Sequence, residues 1–272
     1  MVATRHDTHA KYAVEELRRR KHVFVEKPLA ISAADLEAII EARYAAIAEA
    51  FEPIIITGFN RQFAPHVRKM RELLATVHEP KVFVMIINAG EIPPDHWTQD
   101  PAVGGGRIVD QSCHFVGLPR YLADSPMCRA RAVIIGEAPG MRIRDGKAMI
   151  ILEFGGSIHD LGNGHRSLSK ERLEAFCGGR VLQLDNFRKL RGFGWRGFSR
   201  MRLLRQNKGN AALAAAFVNA VPHGAPSPVF FEEYVEVTQA TLAAVDSLRV
   251  ETAAMPTAQR HLARGWLNGP EG

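Results

Sequence analysis

A glutamate, a lysine and a proline stand together after an apolar segment, as Glu26-Lys27-Pro28 following residues 22–25. The segment is typical of a buried strand, and open α/β sheets bind their ligands beyond the carboxyl ends of such strands. A lysine close to an apolar sheet loses hydration, which makes its amine a proton donor or acceptor near neutral pH. Taken alone, the tripeptide also fits a solvated strand end with a turn proline.

The segments around this tripeptide predict an α/β arrangement. Apolar residues at helical spacing indicate helices over residues 8–20 and 33–50, and Ser32 is available as the N-cap of the second helix. Residues 22–25 and 53–59 are predicted strands, and the continuous apolar run of the second strand indicates burial on both faces, as in a parallel sheet. These segments form only about half of a doubly wound domain.

The pattern changes after residue 62, where short strands with turn signals between them indicate a mostly antiparallel sheet. Its predicted strands are residues 81–88, 131–135, 148–154, a segment after Ser157, 173–176 and 181–184. Helices are predicted over residues 65–75, 107–122, 210–221 and 231–248. The predicted fold class is therefore α/β, a partial doubly wound (Rossmann-like) parallel sheet followed by an α+β domain with a large, mainly antiparallel sheet. The predicted domains are the C-terminal half of a dinucleotide-binding domain at 1–62, a substrate and oligomerisation domain at 63–250, and a tail at 251–272.

Composition restricts the classes of function. No apolar run approaches the ~18 residues that a bilayer-spanning helix needs, so no membrane association is predicted. The three cysteines are far apart and form no CxxC pair, so neither a disulfide framework nor a metal site is predicted. A reducing cytoplasm fits this cysteine usage best.

The net charge of +6 is concentrated between residues 188 and 208, where lysines and arginines alternate with aromatic residues. Such a basic segment can bind nucleic acid, hold the phosphates of a small ligand, contact another subunit, or form a solvated face. No helix-turn-helix, RNP or zinc-finger pattern supports nucleic-acid binding, so that partner is not expected.

A phosphate-binding glycine loop is missing. A dinucleotide-binding domain carries G-x-G-x-x-G after its first strand, and this pattern occurs nowhere in the chain. Gly104-Gly105-Gly106 is no substitute, because it does not follow a strand and lacks the third glycine position. The simplest inference is that the nucleotide-binding half has been lost upstream, in which case another chain or a longer protein supplies it.

Four motifs occur in an order that resembles the Gfo/Idh/MocA oxidoreductases, relatives of glucose-fructose oxidoreductase and inositol dehydrogenase. They are Thr4-Arg5-His6-Asp7-Thr8-His9, Glu26-Lys27-Pro28, Gly58-Phe59-Asn60-Arg61, and Gly104-Gly105-Gly106 with Asp110 and His114. Residues 96–101 and 176–187 are most similar to the branch whose members carry this module behind an alcohol-dehydrogenase-like domain. The resemblance implies NAD- or NADP-linked hydride transfer on a sugar, cyclitol or sugar-nucleotide hydroxyl, and self-association through the large sheet.

The resemblance also implies roles for individual residues. Lys27, Asp110 and His114 match the family's catalytic lysine and its Asp-x-x-x-His pair. The cofactor-binding residues that it implies are Thr4, His9, Glu26, Lys27 and Pro28. The substrate-contacting candidates are Asn60, Arg61, Trp97 and Gln99, although Asn60 and Arg61 also fit a structural brace and the other two also fit a surface loop.

The chemistry of these residue types agrees with those roles. Asp110 and His114 lie four residues apart on a predicted helix and would share one face. A histidine near neutral pKa suits proton transfer, and Lys27 can stabilise a developing alkoxide. The alternative is a catalytically inactive remnant that serves as a ligand-binding or oligomerisation module. Gly117, Pro119 and the missing glycine loop motivate that alternative, so whether the chain alone is an enzyme stays open.

Overall fold

The computed structural model describes residues 1–88, 90, 92–93, 95–134, 148–154, 157–163 and 171–254. Residue 135 of one predicted strand and residues 255–272 of the predicted tail lie outside the described residues. The described helices are α1 (His9–Arg18), α2 (Ala33–Ala48), α3 (Pro65–Leu74), α4 (Cys113–Ala123), α5 (Asn210–Ala220) and α6 (Phe231–Ala254). Short 3₁₀ segments precede α1 and α3, and a π-helical turn, Ile108–Ser112, leads into α4.

A small parallel sheet forms the N-terminal part of the described chain. Its strands β1 (Val23–Val25) and β2 (Ile55–Thr57) are buried throughout, and Val2 pairs with the other side of β1, also in parallel. The predicted N-cap of α2 is confirmed, since the Ser32 hydroxyl accepts a hydrogen bond from the Asp35 amide at 3.1 Å. The parallel pairing predicted from the apolar strands is confirmed as well.

The second sheet has eight strands and is mainly antiparallel, as predicted. Its strands are β3 (Lys81–Ile87), β4 (Met127–Ile134), β5 (Ala148–Phe154), β6 (Ser157–Asn163), β7 (Glu171–Cys177), β8 (Arg180–Asp185), β9 (Lys189–Phe193) and β10 (Arg200–Arg202). They lie in the order β10-β9-β8-β7-β3-β6-β5-β4, and only the neighbours β3 and β6 run parallel. Within the described residues, helices cover one face of this sheet and leave the other face open.

The alternation of buried and exposed side chains along the strands distinguishes the helix-covered face of the sheet from the open face. Phe83 and Met85 of β3 and Leu173 of β7 point into the core with at most 1% exposure. Val82 and its cross-strand partner Phe176 point the other way and are 44% and 38% exposed. The period of two therefore places one apolar set under the helices and a second on the open face.

Two local features differ from the pattern expected from the sequence. Strands β9 and β10 lie within the basic segment 188–208 and were not predicted. Leu190 is buried, but the charged residues around it hide the alternation of buried and exposed positions that is typical of a strand. The predicted helix over residues 107–122 begins with a π turn rather than as a regular α-helix. A π turn adds a residue to the turn, so the faces assigned from α-helical spacing change at this point.

Candidate active site

Lys27 and Asp110 form the centre of the candidate site. The Lys27 ammonium donates to the Asp110 carboxylate Oδ1 at 2.6 Å and to the Asp110 carbonyl oxygen at 2.7 Å. The Asp110 side chain is 7% exposed and that of Lys27 is 23% exposed, so the ammonium remains partly accessible. The two hydrogen bonds to Asp110 fix the position of that ammonium.

The two partners of this pair lie on different elements. Lys27 follows β1 of the parallel sheet, whereas Asp110 lies in the π turn that leads into α4. The preceding loop requires a glycine at position 104, because a Cβ there would lie 2.3 Å from the Thr98 Cα. This tight loop closes against the N-terminal motif, where the Asp7 amide donates to the Val103 carbonyl oxygen at 3.0 Å.

His6 joins the pair, although the sequence argument assigned it no role. Its Nε2 lies 3.8 Å from Asp110 Oδ1, and its Nδ1 lies 2.9 Å from the Gly104 carbonyl oxygen. Burial lowers the pKa of His6, and the positive charge of Lys27 lowers it further. The one signal available in the sequence was that His6 stands inside the Thr4 to His9 motif.

His114 lies one helical turn beyond Asp110, without a hydrogen bond between the two described side chains. The turn at Asp110 is π-helical, whereas His114 lies in the α-helix that follows it. Its Nδ1 is buried and has no hydrogen-bond partner in the described part of the chain. Burial lowers the pKa of His114 far below its ordinary value, and the charges of Arg61, Lys27 and Lys208 lower it further.

The residues implied for cofactor binding converge beside Lys27. His9 Nδ1 lies 2.8 Å from the Pro28 carbonyl oxygen, and its Nε2 lies 3.2 Å from the Thr4 carbonyl oxygen. The imidazole thus ties together the loops after two neighbouring parallel strands. The Glu26 carboxylate accepts from the Lys27 amide at 3.3 Å, completing the loop after β1.

Asn60 and Arg61 have protein partners. The Arg61 guanidinium makes a bidentate pair with Glu171 at 2.8 and 2.9 Å, and Lys208 donates to the same carboxylate. The Asn60 amide donates to the Lys208 carbonyl oxygen at 2.9 Å. These contacts favour the brace over the substrate-binding interpretation, because they use the polar groups that a substrate would need.

Trp97 and Gln99 lie on a short 3₁₀ segment, Trp97–Gln99. The Trp97 ring meets His6 edge-to-face, with ring centroids 4.7 Å apart. The Gln99 side-chain nitrogen is buried and has no hydrogen-bond partner in the described ranges. Trp97 therefore lies beside the Lys27–Asp110 centre through His6, and no hydrogen bond of the described residues joins Gln99 to it.

This arrangement combines groups that can donate and accept protons with a fixed positive charge, which suits oxidation or reduction at a hydroxyl or carbonyl group. The loops that carry Thr4, His9 and Lys27 meet beside the Lys27–Asp110 pair, and their role toward a cofactor stays a prediction. In the described part of the chain, no cluster of three or more histidine, cysteine or acidic side chains could hold a metal ion. None of the described helices combines the length and apolarity needed to span a bilayer.

Comparisons with known proteins show what the chain is similar to. Residues 1–46 match the family model described as an oxidoreductase family with an NAD-binding Rossmann fold, GFO_IDH_MocA. This matched segment includes Thr4, His9 and Lys27. A myo-inositol 2-dehydrogenase from Thermotoga maritima is 27% identical over 197 residues, which cover 70% of this chain and 57% of that relative.

A second curated relative and a solved structure extend this likeness. A 1,5-anhydro-D-fructose reductase from Ensifer adhaerens is 31% identical over 52% of this chain and 41% of its own length. The chain thus spans about half the length of the curated relatives it matches. A solved structure of levoglucosan dehydrogenase in complex with NADH and levoglucosan has a TM-score of 0.74 at 17% identity, covering 92% of this chain and 77% of that structure. This likeness confirms the predicted fold class, and the comparisons give no support to the inactive-remnant alternative.

Proposed function

We propose that this chain is the catalytic module of an NAD- or NADP-dependent oxidoreductase that acts on a secondary hydroxyl of a sugar, cyclitol or sugar nucleotide. The observation that carries the proposal is the 2.6 Å pair between Lys27 and Asp110. The pair lies between the loop after β1 and the turn before α4, which is where the cofactor-side and substrate-side elements meet. The sugar-like substrate class rests on the relatives that act on inositol and on 1,5-anhydro-D-fructose.

Lys27 holds the reacting oxygen in this proposal. Two of its three ammonium hydrogens go to Asp110, which leaves the third for the substrate hydroxyl. The ammonium is fixed before the substrate arrives, so it stabilises a developing alkoxide without further reorganisation. Bound nicotinamide supplies the hydride acceptor.

His114 accepts the hydroxyl proton in this proposal. Its lowered pKa keeps the ring neutral at pH 7, so the imidazole is ready to take a proton rather than to give one. The nearby positive charges of Arg61 and Lys27 limit how strongly it holds that proton. Trp97 and Gln99 line the edge of the substrate cleft.

The cofactor is held at its nicotinamide end by Thr4, His9, Glu26, Lys27 and Pro28. The chain has no G-x-G-x-x-G sequence, so the pyrophosphate needs donors from elsewhere. We propose that a nucleotide-binding half, in a longer protein or in a separate partner chain, supplies them. Residues 1–62 would complete that domain, residues 63–250 would form the substrate domain, and the open face of the large sheet would pair with a second copy. A cytoplasmic location stays a prediction.

The test measures nicotinamide reduction with myo-inositol and 1,5-anhydro-D-glucitol as probe alcohols, each with NAD⁺ and with NADP⁺. The chain is assayed alone and with an added glycine-loop half taken from the inositol dehydrogenase relative. We expect turnover when the glycine-loop half is present. Lys27→Met should lower kcat by about 10²- to 10³-fold, which is comparable to the loss of an oxyanion donor. Lys21→Met, at an exposed lysine paired with Glu16, is the matched control. Unchanged turnover in Lys27→Met, or no turnover and no cofactor binding in either format, would refute the proposal.

A further inference from the structure

His6 has a defined protonation pattern in the candidate site. Its Nδ1 lies 2.9 Å from the Gly104 carbonyl oxygen, which can only accept, so Nδ1 carries a hydrogen. In the neutral ring Nε2 therefore holds a lone pair. That lone pair faces Asp110 Oδ1 at 3.8 Å, the same oxygen that binds the Lys27 ammonium. The geometry thus places a free base beside the carboxylate oxygen that binds Lys27.

The groups around the His6 ring have opposite effects on its pKa. Lys27 faces it from the loop after β1 and Asp110 from the π turn, while His9 of α1 lies with its ring centroid 5.5 Å away. Trp97 covers the ring edge, and the Arg5 guanidinium lies on the Trp97 ring at 5.7 Å. Burial, Lys27 and His9 lower the pKa of His6, whereas the Gly104 carbonyl and the Asp110 carboxylate raise it. The net lowering keeps the ring neutral at pH 7.

His114 is poorly suited to keep a proton in the unliganded chain. Burial lowers its pKa well below the ordinary value, and the charges of Arg61, Lys27 and Lys208 lower it further. The proton that leaves the alcohol hydroxyl therefore needs a better final acceptor than His114. His6 is the neighbouring base that already faces Lys27 and Asp110.

We propose that His6 is the relay residue that takes up the alcohol proton through Lys27. The hydroxyl O–H bond breaks and its proton passes first to His114. One Lys27 N–H bond breaks as its proton forms a new N–H bond at His6 Nε2, and the lone pair that this leaves on Lys27 Nζ takes the proton from His114. Lys27 stays an ammonium, the hydride and its electron pair go to the nicotinamide, and the imidazolium is paired with Asp110. This inference rests on the proposed function, but its electrostatic basis can be measured without a substrate.

The first experiment is an NMR titration of the histidine Cε1–H signals, with His6 assigned from its loss in His6→Asn. We expect Lys27→Met to raise the pKa of His6 by about one pH unit and Asp110→Asn to lower it by a similar amount. Lys21→Met should leave it unchanged. A pKa of His6 that is insensitive to both site variants would overturn the inference, whatever the activity of the chain.

The second experiment uses turnover of the probe alcohols above. We expect His6→Asn to lower kcat by 10- to 100-fold with little change in KM, to shift the acidic limb of the pH profile, and to regain activity on addition of imidazole. His78→Asn, at an exposed histidine, is the control. An unchanged pH profile in His6→Asn would overturn the relay. Absence of turnover in every format would instead refute the proposed function, and the titration then decides the inference.

Discussion

Two glycines near the candidate site differ in what an added methyl group would meet. At Gly104 a Cβ would lie 2.3 Å from Thr98 Cα, a backbone atom that cannot move aside. At Gly117, inside α4, a Cβ would lie 3.6 Å from Phe59 and 3.7 Å from Val237, which is ordinary contact. The same substitution should therefore have opposite effects at the two positions.

We expect Gly104→Ala to lower the free energy of unfolding by about 1–3 kcal/mol, because overpacking forces the loop to shift. Gly117→Ala should raise it by about 0.5–1 kcal/mol, since alanine costs less backbone entropy than glycine inside a helix. Urea unfolding of both variants measures the difference. Loss of stability in Gly117→Ala would show that position 117 needs the space between Phe59 and α6.

The pairings of the site residues show what could be predicted from the sequence and what could not. Lys27 and Asp110 are 83 residues apart in sequence, and periodicity carries no information about such contacts. Their association was expected only from the family resemblance. The spacing of His114 from Asp110 was expected from a regular α-helix, whereas the structure has a π turn at Ile108–Ser112, which periodicity does not predict.

At the scale of elements, an ion pair joins the segment after β2 to strand β7 of the large sheet. Arg61 and Glu171 are 11% and 6% exposed at their side chains, so neither charge is well solvated without the other. We expect Arg61→Met to lower the free energy of unfolding by about 3 kcal/mol, because Glu171 keeps only Lys208. The double variant Arg61→Met/Glu171→Met should recover at least ~1 kcal/mol of that loss.

Urea unfolding of the two single variants and the double variant completes this cycle. If the losses of unfolding free energy in the two single variants simply add in the double variant, the Arg61–Glu171 pair contributes no coupling between the sheets. Lys208 is 25% exposed and can be solvated when Glu171 is removed, so it does not mask the result.

The basic segment 188–208 forms the edge of the large sheet. Arg200 of β10 stands directly opposite Arg191 of β9, and Arg202 stands opposite Lys189. Like charges in these positions are unfavourable, yet cations on an edge strand oppose pairing with other chains. Protection of this sheet edge therefore explains part of the positive net charge of the chain.

We expect Arg200→Glu to raise the free energy of unfolding by about 0.2–1 kcal/mol at low salt, because it places a carboxylate opposite Arg191. The gain should fade at high salt, where exposed charges are screened. Arg205→Glu, on an exposed residue outside the strands, serves as the control. Equal gains in both variants would point to the net charge rather than to the cross-strand pair.

For the whole molecule, the sequence pattern predicted both sheets but not their junction. Strand alternation and apolar runs report which face of an element is buried, and those predictions agree with the buried positions of β1, β2 and β3. The junction depends on polar contacts across long sequence separations, such as the 110 residues between Arg61 and Glu171. Such contacts leave no periodic signal in a single sequence.

Carboxyl and histidine side chains make the stability of the whole molecule sensitive to acid in two different pH ranges. Burial alone would raise the pKa of Glu171, but Arg61 and Lys208 outweigh it and lower the pKa below 4.5. Its contribution is therefore present above pH 4.5 and is lost only as the pH falls through the lower folded value. His114 acts at higher pH, because its ordinary pKa is 6.5 and its folded pKa is far below that.

Between pH 7.5 and 5.5, unfolded His114 takes up a proton that the folded protein refuses, so stability falls with falling pH. One such histidine should cost about 1.4 kcal/mol over this range, with His6 and His66 adding to the loss because their pKa values are lowered too. Urea unfolding at both pH values should show a smaller loss in His114→Gln than in the wild type. His78→Gln, at an exposed histidine, should match the wild type. An equal loss in His114→Gln would mean that His114 is protonated in the folded protein and that it is not the neutral base proposed here.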